Sequence, residues 1–195
     1  VSAPAAQIAL FPLNAVLFPG GLLPLRVFEP RYVDMVGRCM RADEVFGVVL
    51  IDGGSDTSQE VATALVGTSA RIVDFQTLSD GLLGLLCRGE RRFRISTRSR
   101  QDDGLNCAVV EWLEEAVPLP LAPRFQPLVP LLREALSRLR TIGRFMEPHY
   151  DDASWVSCRL AELLPLDQPA LQRLLELDDA EARLRLLAPM IDSPA

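Results

Sequence analysis

Residues 11–32 read FPLNAVLFPGGLLPLRVFEPRY, and the placing of Pro, Gly and Arg within this apolar run decides the fold. No charge occurs before Arg26, so hydropathy alone would suggest a membrane span or an export signal. A spanning helix needs about 20 continuous apolar helical residues, and a signal peptide needs a basic start. Pro12, Asn14, Pro19, Gly20, Gly21 and Pro24 interrupt the first, and the second is lacking. The run therefore reads as strand, apolar loop, strand and helix start, in a chain expected to be cytoplasmic and not membrane-bound.

Working outward, Ile8 to Leu13 and Leu22 to Phe28 read as short strands, and Pro30 stands where the first position of a helix tolerates it. Tyr32, Met35, Val36, Cys39 and Met40 follow at helical spacing and predict one buried stripe. Val45 to Ile51 reads as a buried strand, followed by a loop containing Gly53, Gly54, Ser55 and Asp56 that is expected to be mobile. Val61 to Phe75, Leu82 to Cys87, Arg92 to Thr97 and Asn106 to Trp112 are four further strand candidates. Asp80-Gly81 and Asp103-Gly104 supply turns, and Gly67 suits a bulge or corner. A mainly antiparallel sheet with one inserted helix and apolar faces hides its edges best by curling into a small β-barrel.

Pro118, Pro120 and Pro123 predict an extended linker over residues 117–123, dividing a barrel at 1–116 from a helical region at 124–195. In the latter, Leu128, Leu131, Leu132, Ala135, Leu136, Leu139 and Ile142 form a wide helical stripe. Further helices are expected around Val156, Leu160, Leu163 and Leu164, and after Asp167. The last has Asp178 as N-cap, Glu181 completing a capping box and Leu177 as staple. The fold class is α+β: a small antiparallel barrel followed by a C-terminal helical bundle.

Composition narrows the chemistry. With 195 residues, 49% of them hydrophobic and 24% charged, the chain can bury a sizeable core. All 20 basic residues are Arg, which removes Schiff-base, Ser-Lys and P-loop lysine chemistry. A net charge of −6 gives no overall field for nucleic acid. Cys39, Cys87, Cys107 and Cys158 lack CxxC spacing and read as reduced, buried thiols. No metal site and no cofactor are expected. His149 lies in EPHYDD beside Glu147, Asp151 and Asp152, where a helix N-cap explains the acidic residues better than an active site does.

The run FPLNAVLFPGGLLPLRVFEPRYVDM resembles the opening motif of the Lon substrate-binding domain family, found at the amino terminus of Lon protease and as stand-alone bacterial proteins. Gly67-Thr68-Ser69-Ala70, Asp80-Gly81, Gly89-Glu90-Arg91-Arg92-Phe93-Arg94-Ile95 and Ala108-Val109-Val110-Glu111-Trp112-Leu113 resemble its later blocks in order. The resemblance implies a PUA-like barrel, a helical bundle and engagement of protein substrates. The chain holds neither a GxxxxGK[ST] loop nor a Ser-Lys dyad, and 72 residues after Pro123 are too few for a motor. The expected function is therefore non-catalytic: binding of unfolded or hydrophobic protein segments, or of a partner protein.

Two surfaces are candidates for it. Leu17, Phe18, Leu22 and Leu23 surround Pro19-Gly20-Gly21; most are expected to tuck into the core, and those left exposed, rimmed by Asn14 and Arg26, would make an apolar peptide site. About 400 Å² of apolar contact yields roughly 10 kcal/mol gross, against about 4 to 15 kcal/mol for association, so binding should be weak. The second is Arg92, Arg94, Arg98 and Arg100, which strict alternation puts on one strand face opposite Phe93 and Ile95. Arginine forks suit phosphate, so this face is the alternative, an RNA site. A solvated hairpin face explains the same pattern, the chain to Glu115 is net −4, and no aromatics suited to stacking bases interleave with it, so nucleic acid is not the expected partner.

Overall fold

The computed structural model describes residues 6–52, 62–114, 118–139 and 143–192. They form two compact units, Val1–Glu114 and Glu115–Ala195. The first contains β1 (Ala6–Leu13), β2 (Leu22–Val27), α1 (Pro30–Ala42), β3 (Phe46–Leu50), β4 (Val66–Thr77), β5 (Leu83–Arg100) and β6 (Asn106–Trp112). The strands make one six-stranded sheet in the order β2-β5-β4-β3-β1-β6, with β6 also paired to β5. Its pairings therefore close a circuit through β5, β4, β3, β1 and β6.

The length of β5 makes that circuit possible. Its 18 residues replace the two strands expected at Leu82 to Cys87 and Arg92 to Thr97. The first part, Leu83 to Arg88, is lined by β2, and the last part, Phe93 to Arg100, by β6. No turn forms at Gly89 because the chain is clamped there. Gly20 N–H donates to Gly89 O at 2.8 Å, Gly89 N–H donates to Gly21 O at 2.9 Å, and a Cβ on Gly89 would collide with Phe18 O.

The sheet is not purely a set of hairpins. β1 and β3 run parallel, with Leu10 opposite Gly47, and β2 and α1 form the crossover that a parallel pair requires. In α1, Tyr32, Met35, Val36 and Cys39 are buried as the stripe predicts, whereas Met40 is 42% exposed. The helix stops at Asp43, in the left-handed region at φ 52°. The loop expected to be mobile after Asp52 lies outside the described residues.

Two apolar clusters hold this unit together. Ile8, Leu10, Val49, Phe93, Ile95, Ala108 and Val110 share one face of the circuit. Phe11, Leu25, Val27, Phe46, Val48 and Cys87 pack with the α1 stripe on the other. Gly47 and Gly67 both leave room for the Phe93 ring.

The second unit contains α2 (Leu128–Ser137), α3 (Ala153–Leu163), α4 (Gln168–Glu176) and α5 (Ala180–Asp192), after a 3-10 turn at Pro123–Phe125. Buried along most of its length, α3 packs against α2, α4 and α5. Asp152 caps α3 through Ser154 N–H at 3.0 Å, and Asp167 caps α4 through Ala170 N–H at 2.8 Å. For α5 the cap is Asp179, bonded to Glu181 N–H at 2.8 Å, one residue later than expected. In the shortened α2, Leu128 and Leu132 are buried but Leu131 is 51% exposed. Ile142, the last residue of the expected stripe, lies outside the described residues. Within the proline-rich segment, Leu121 N–H donates to Asp151 O at 2.7 Å and Ala153 N–H to Leu119 O at 2.8 Å. Leu119 to Leu121 are thus paired with the approach to α3.

Candidate functional site

The loop between β1 and β2 is core at its centre. Leu17 and Phe18 are 3% and 1% exposed, because the Gly20 and Gly21 bonds to Gly89 pull the loop onto β5. Those two residues offer no surface to a peptide, which corrects the site drawn from sequence. Leu22 and Leu23 are half-buried on β2. Arg26 is exposed and pairs with Asp80. An exposed apolar side chain that sequence reasoning missed stands just past β2, where Phe28 is 67% exposed. Alternation signalled it, since Leu25 and Val27 point in and Phe28 breaks the pattern at the strand end.

The arginine face is also redrawn. Pairing of β5 with β6 passes from Ile95–Val110 to Thr97–Val109, so Ser96 is an extra residue and the side chains beyond it change faces. Arg94, opposite Glu111, is on one face; Arg98 and Arg100, opposite Ala108 and Asn106, are on the other with Phe93 and Ile95. Arg92 is 4% exposed. Arg98 donates to Thr63 O at 2.8 Å and to Thr63 Oγ1 at 3.0 Å. Arg100 Nε and Arg31 Nη1 converge on Gly104 O at 3.3 and 3.1 Å. The four arginines do not form one phosphate-binding row.

A groove absent from the sequence reading lies between the end of α1 and β4. It is about 190 Å³ and is lined by Cys39, Met40, Asp43, Glu44 and Arg71 to Phe75. Arg71 forms its fixed wall, held by Glu90 at 2.5 Å and Asp43 at 2.6 Å. Phe75 and Met40 stand exposed at 57% and 42%. Burial raises the Cys39 thiol and pushes Cys87 up to about 12, so neither supplies a thiolate near neutrality.

In the second unit, His149 is exposed and meets Trp155 edge-on at 6.4 Å. Its neighbour Asp152 accepts from Ser154 N–H and, at 3.3 Å, from Leu119 N–H. Among the described residues no three His, Cys, Asp or Glu side chains group as metal ligands. No helix among them is long and apolar enough to cross a membrane.

The family described as the ATP-dependent protease La (LON) substrate-binding domain matches residues 7–193. The chain belongs to this family. As a Lon-type domain it is similar to the crystal structure of the Lon N-terminal domain protein from Xanthomonas campestris. That likeness has TM-score 0.78 and 39% identity, covering 97% of this chain and 99% of that one. The N-terminal domain of Mycobacterium avium complex Lon protease shares the fold at TM-score 0.65 and 18% identity, over 97% and 100% of the two chains. Lon protease of Cytophaga hutchinsonii is 25% identical over 187 residues. That alignment covers 92% of this Lon-type domain and 23% of the protease, so the chain spans about a quarter of that relative's length. Among the described residues the Lon N-terminal fold is mixed α+β, with a six-stranded sheet and five α-helices.

Proposed function

We propose that this Lon-type domain is a non-catalytic module that holds apolar segments of other proteins. The observation carrying this reading is the match of residues 7–193 to a domain named for substrate binding. Phe28, Met40 and Phe75 support it, being among the large apolar side chains that this unit leaves exposed, with Val33, Ile51, Leu65 and Val109. The closed circuit of pairings supports describing the sheet as a small PUA-like barrel. A cytoplasmic setting belongs to the same reading and rests on buried Cys39, Cys87 and Cys107, which form no disulfide.

Fluorescence anisotropy with uncharged apolar peptides and with a single-stranded RNA, each at two salt concentrations, tests it. Apolar peptides should bind at about micromolar strength or weaker, almost independently of salt. RNA held by three or four phosphate contacts would instead show a log–log slope of about −2 to −3. Binding of RNA with that slope, and of no peptide, would overturn the proposal.

A further inference from the structure

The second half of β4 has one open side. Among the described residues, β3 covers β4 only from Thr68 to Ala70, whereas Arg71 to Thr77 pair with β5 alone. Such an edge presents N–H and C=O groups to any extended chain. A register shift between Ile72 and Asp74 blunts part of it, and the Asp74 carboxylate takes the Phe75 N–H at 3.0 Å. Beyond that point the edge runs on. Leu78 N–H bonds Leu82 O, so by antiparallel alternation Gln76 turns its backbone groups to β5, and Phe75 and Thr77 turn theirs outward. Phe75 C=O and Thr77 N–H together are what one residue of a parallel strand engages, and using them leaves the Asp74 bond intact.

The groove described between α1 and β4 runs beside this edge. Its apolar part is Met40, Ile72 and Phe75, and Ile72 lies against the buried cluster under α1. Its charged part is Asp43, Glu44 and Asp74 against Arg71, three carboxylates to one guanidinium. At about 190 Å³ it is smaller than the roughly 300 to 1,000 Å³ of small-molecule sites, and of a size for one or two side chains. An open strand edge beside an apolar pocket with an acidic rim defines its occupant chemically.

We propose that this groove takes an extended polypeptide segment in which a large apolar side chain is flanked by Lys or Arg. The segment adds as a parallel strand along Phe75–Thr77, its apolar side chain enters between Met40 and Phe75, and its cations meet Asp43, Glu44 and Asp74. Main-chain bonds supply sequence-tolerant affinity, and the pocket and rim supply selectivity. This inference rests on the protein-binding reading and gives it a place and a preferred sequence.

The test uses the whole chain and a fluorescent decapeptide with central Leu-Phe-Leu and flanking lysines. Controls are its twin with Glu for Lys and a form N-methylated on alternate residues. The lysine peptide should bind about tenfold tighter than the glutamate twin at low salt, with the preference shrinking as salt rises. F75A and M40A should each weaken it about tenfold, E44Q should reduce the lysine preference, and N-methylation should remove most of the binding. Both apolar positions are exposed, so an unchanged thermal unfolding curve will show that the fold is intact. Peptide binding that ignores charge, N-methylation and both apolar variants would overturn the groove and leave the general reading standing. Failure to bind these and all denatured-protein peptides would overturn both.

Discussion

Phe93 fills space that two glycines leave, and the two should respond differently when that space is taken away. A Cβ at Gly47 would meet Phe93 Cζ at 2.7 Å, Leu10 Cδ2 at 2.9 Å and Ile8 Cδ1 at 3.0 Å, all of them side-chain ends. At Gly67 it would meet Phe93 Cζ and Val49 Cγ1, each at 2.7 Å, and Val48 O at 2.5 Å. Side-chain ends rotate away, so Gly47→Ala should cost about 1–3 kcal/mol, the usual range for overpacking. The Val48 carbonyl belongs to the β3–β4 ladder, where Val48 is opposite Thr68, and cannot retreat without breaking register. Gly67→Ala should therefore cost more than about 3 kcal/mol. Adding Phe93→Leu to each makes a double-mutant cycle. The shortened side chain should recover about 1–2 kcal/mol with Gly47→Ala but less than about 0.5 kcal/mol with Gly67→Ala. Urea unfolding followed by Trp112 emission measures this, since Trp112 meets Phe93 edge-on at 6.2 Å. The other tryptophan, Trp155, is replaced by Phe so that the signal reports the first unit alone. If Gly67→Ala unfolds within about 1 kcal/mol of its parent, or is rescued as fully as Gly47→Ala, the argument from the fixed carbonyl is wrong.

Two further outcomes concern the helices. Burial pushes the Glu162 carboxyl up to about 7 against the pull of Arg159, whose guanidinium contacts it twice at 2.9 Å, although 26% of the Glu162 side chain is exposed. A raised folded-state value means that the folded unit holds a proton the unfolded chain has lost. The contribution is thus complete below about 4.5 and disappears as pH rises through about 7. Trp155-monitored stability should fall between about pH 5 and 8, and Glu162→Gln should flatten the fall; a parent profile already flat would show that Arg159 keeps the carboxylate ionised. Asp152→Ala removes the α3 cap and the contact to Leu119 N–H, and should lower stability by about 1 kcal/mol in the same assay. No loss would mean that water replaces the carboxylate at the helix start.

The parts of the fold legible in sequence are those with local causes. Pro30 and the Tyr32–Cys39 spacing announce α1, and Asp152 and Asp167 announce α3 and α4, because capping and periodicity act within a few residues. What escaped depends on distant partners. The break expected between Cys87 and Arg92 is absent because the loop at Gly20 and Gly21 clamps Gly89 in a strand. Ser96 carries no mark of a bulge, yet it turns Arg98 and Arg100 onto the face opposite Arg94. The same holds for function. Leu17 and Phe18 are apolar enough for a binding loop or for core, and only the distant clamp at Gly89 makes them core. The α1–β4 groove joins residues 27 or more positions apart, which no periodicity reveals.

The closed circuit of strands also determines when this protein can be finished. β1 lies opposite Val110 at Ala6 and opposite Gly47 at Leu10, so neither of its neighbours is made soon after it. Contacts between residues this distant along the chain must close long loops before they stabilise anything, which places such sheets among the slower, millisecond-to-second folders. A ribosome reaching Trp112 releases the last strand β1 needs. Until then Ala6 to Ala9 lacks its β6 partner, and the growing chain carries an unpaired strand segment of the kind it is proposed to hold in other proteins.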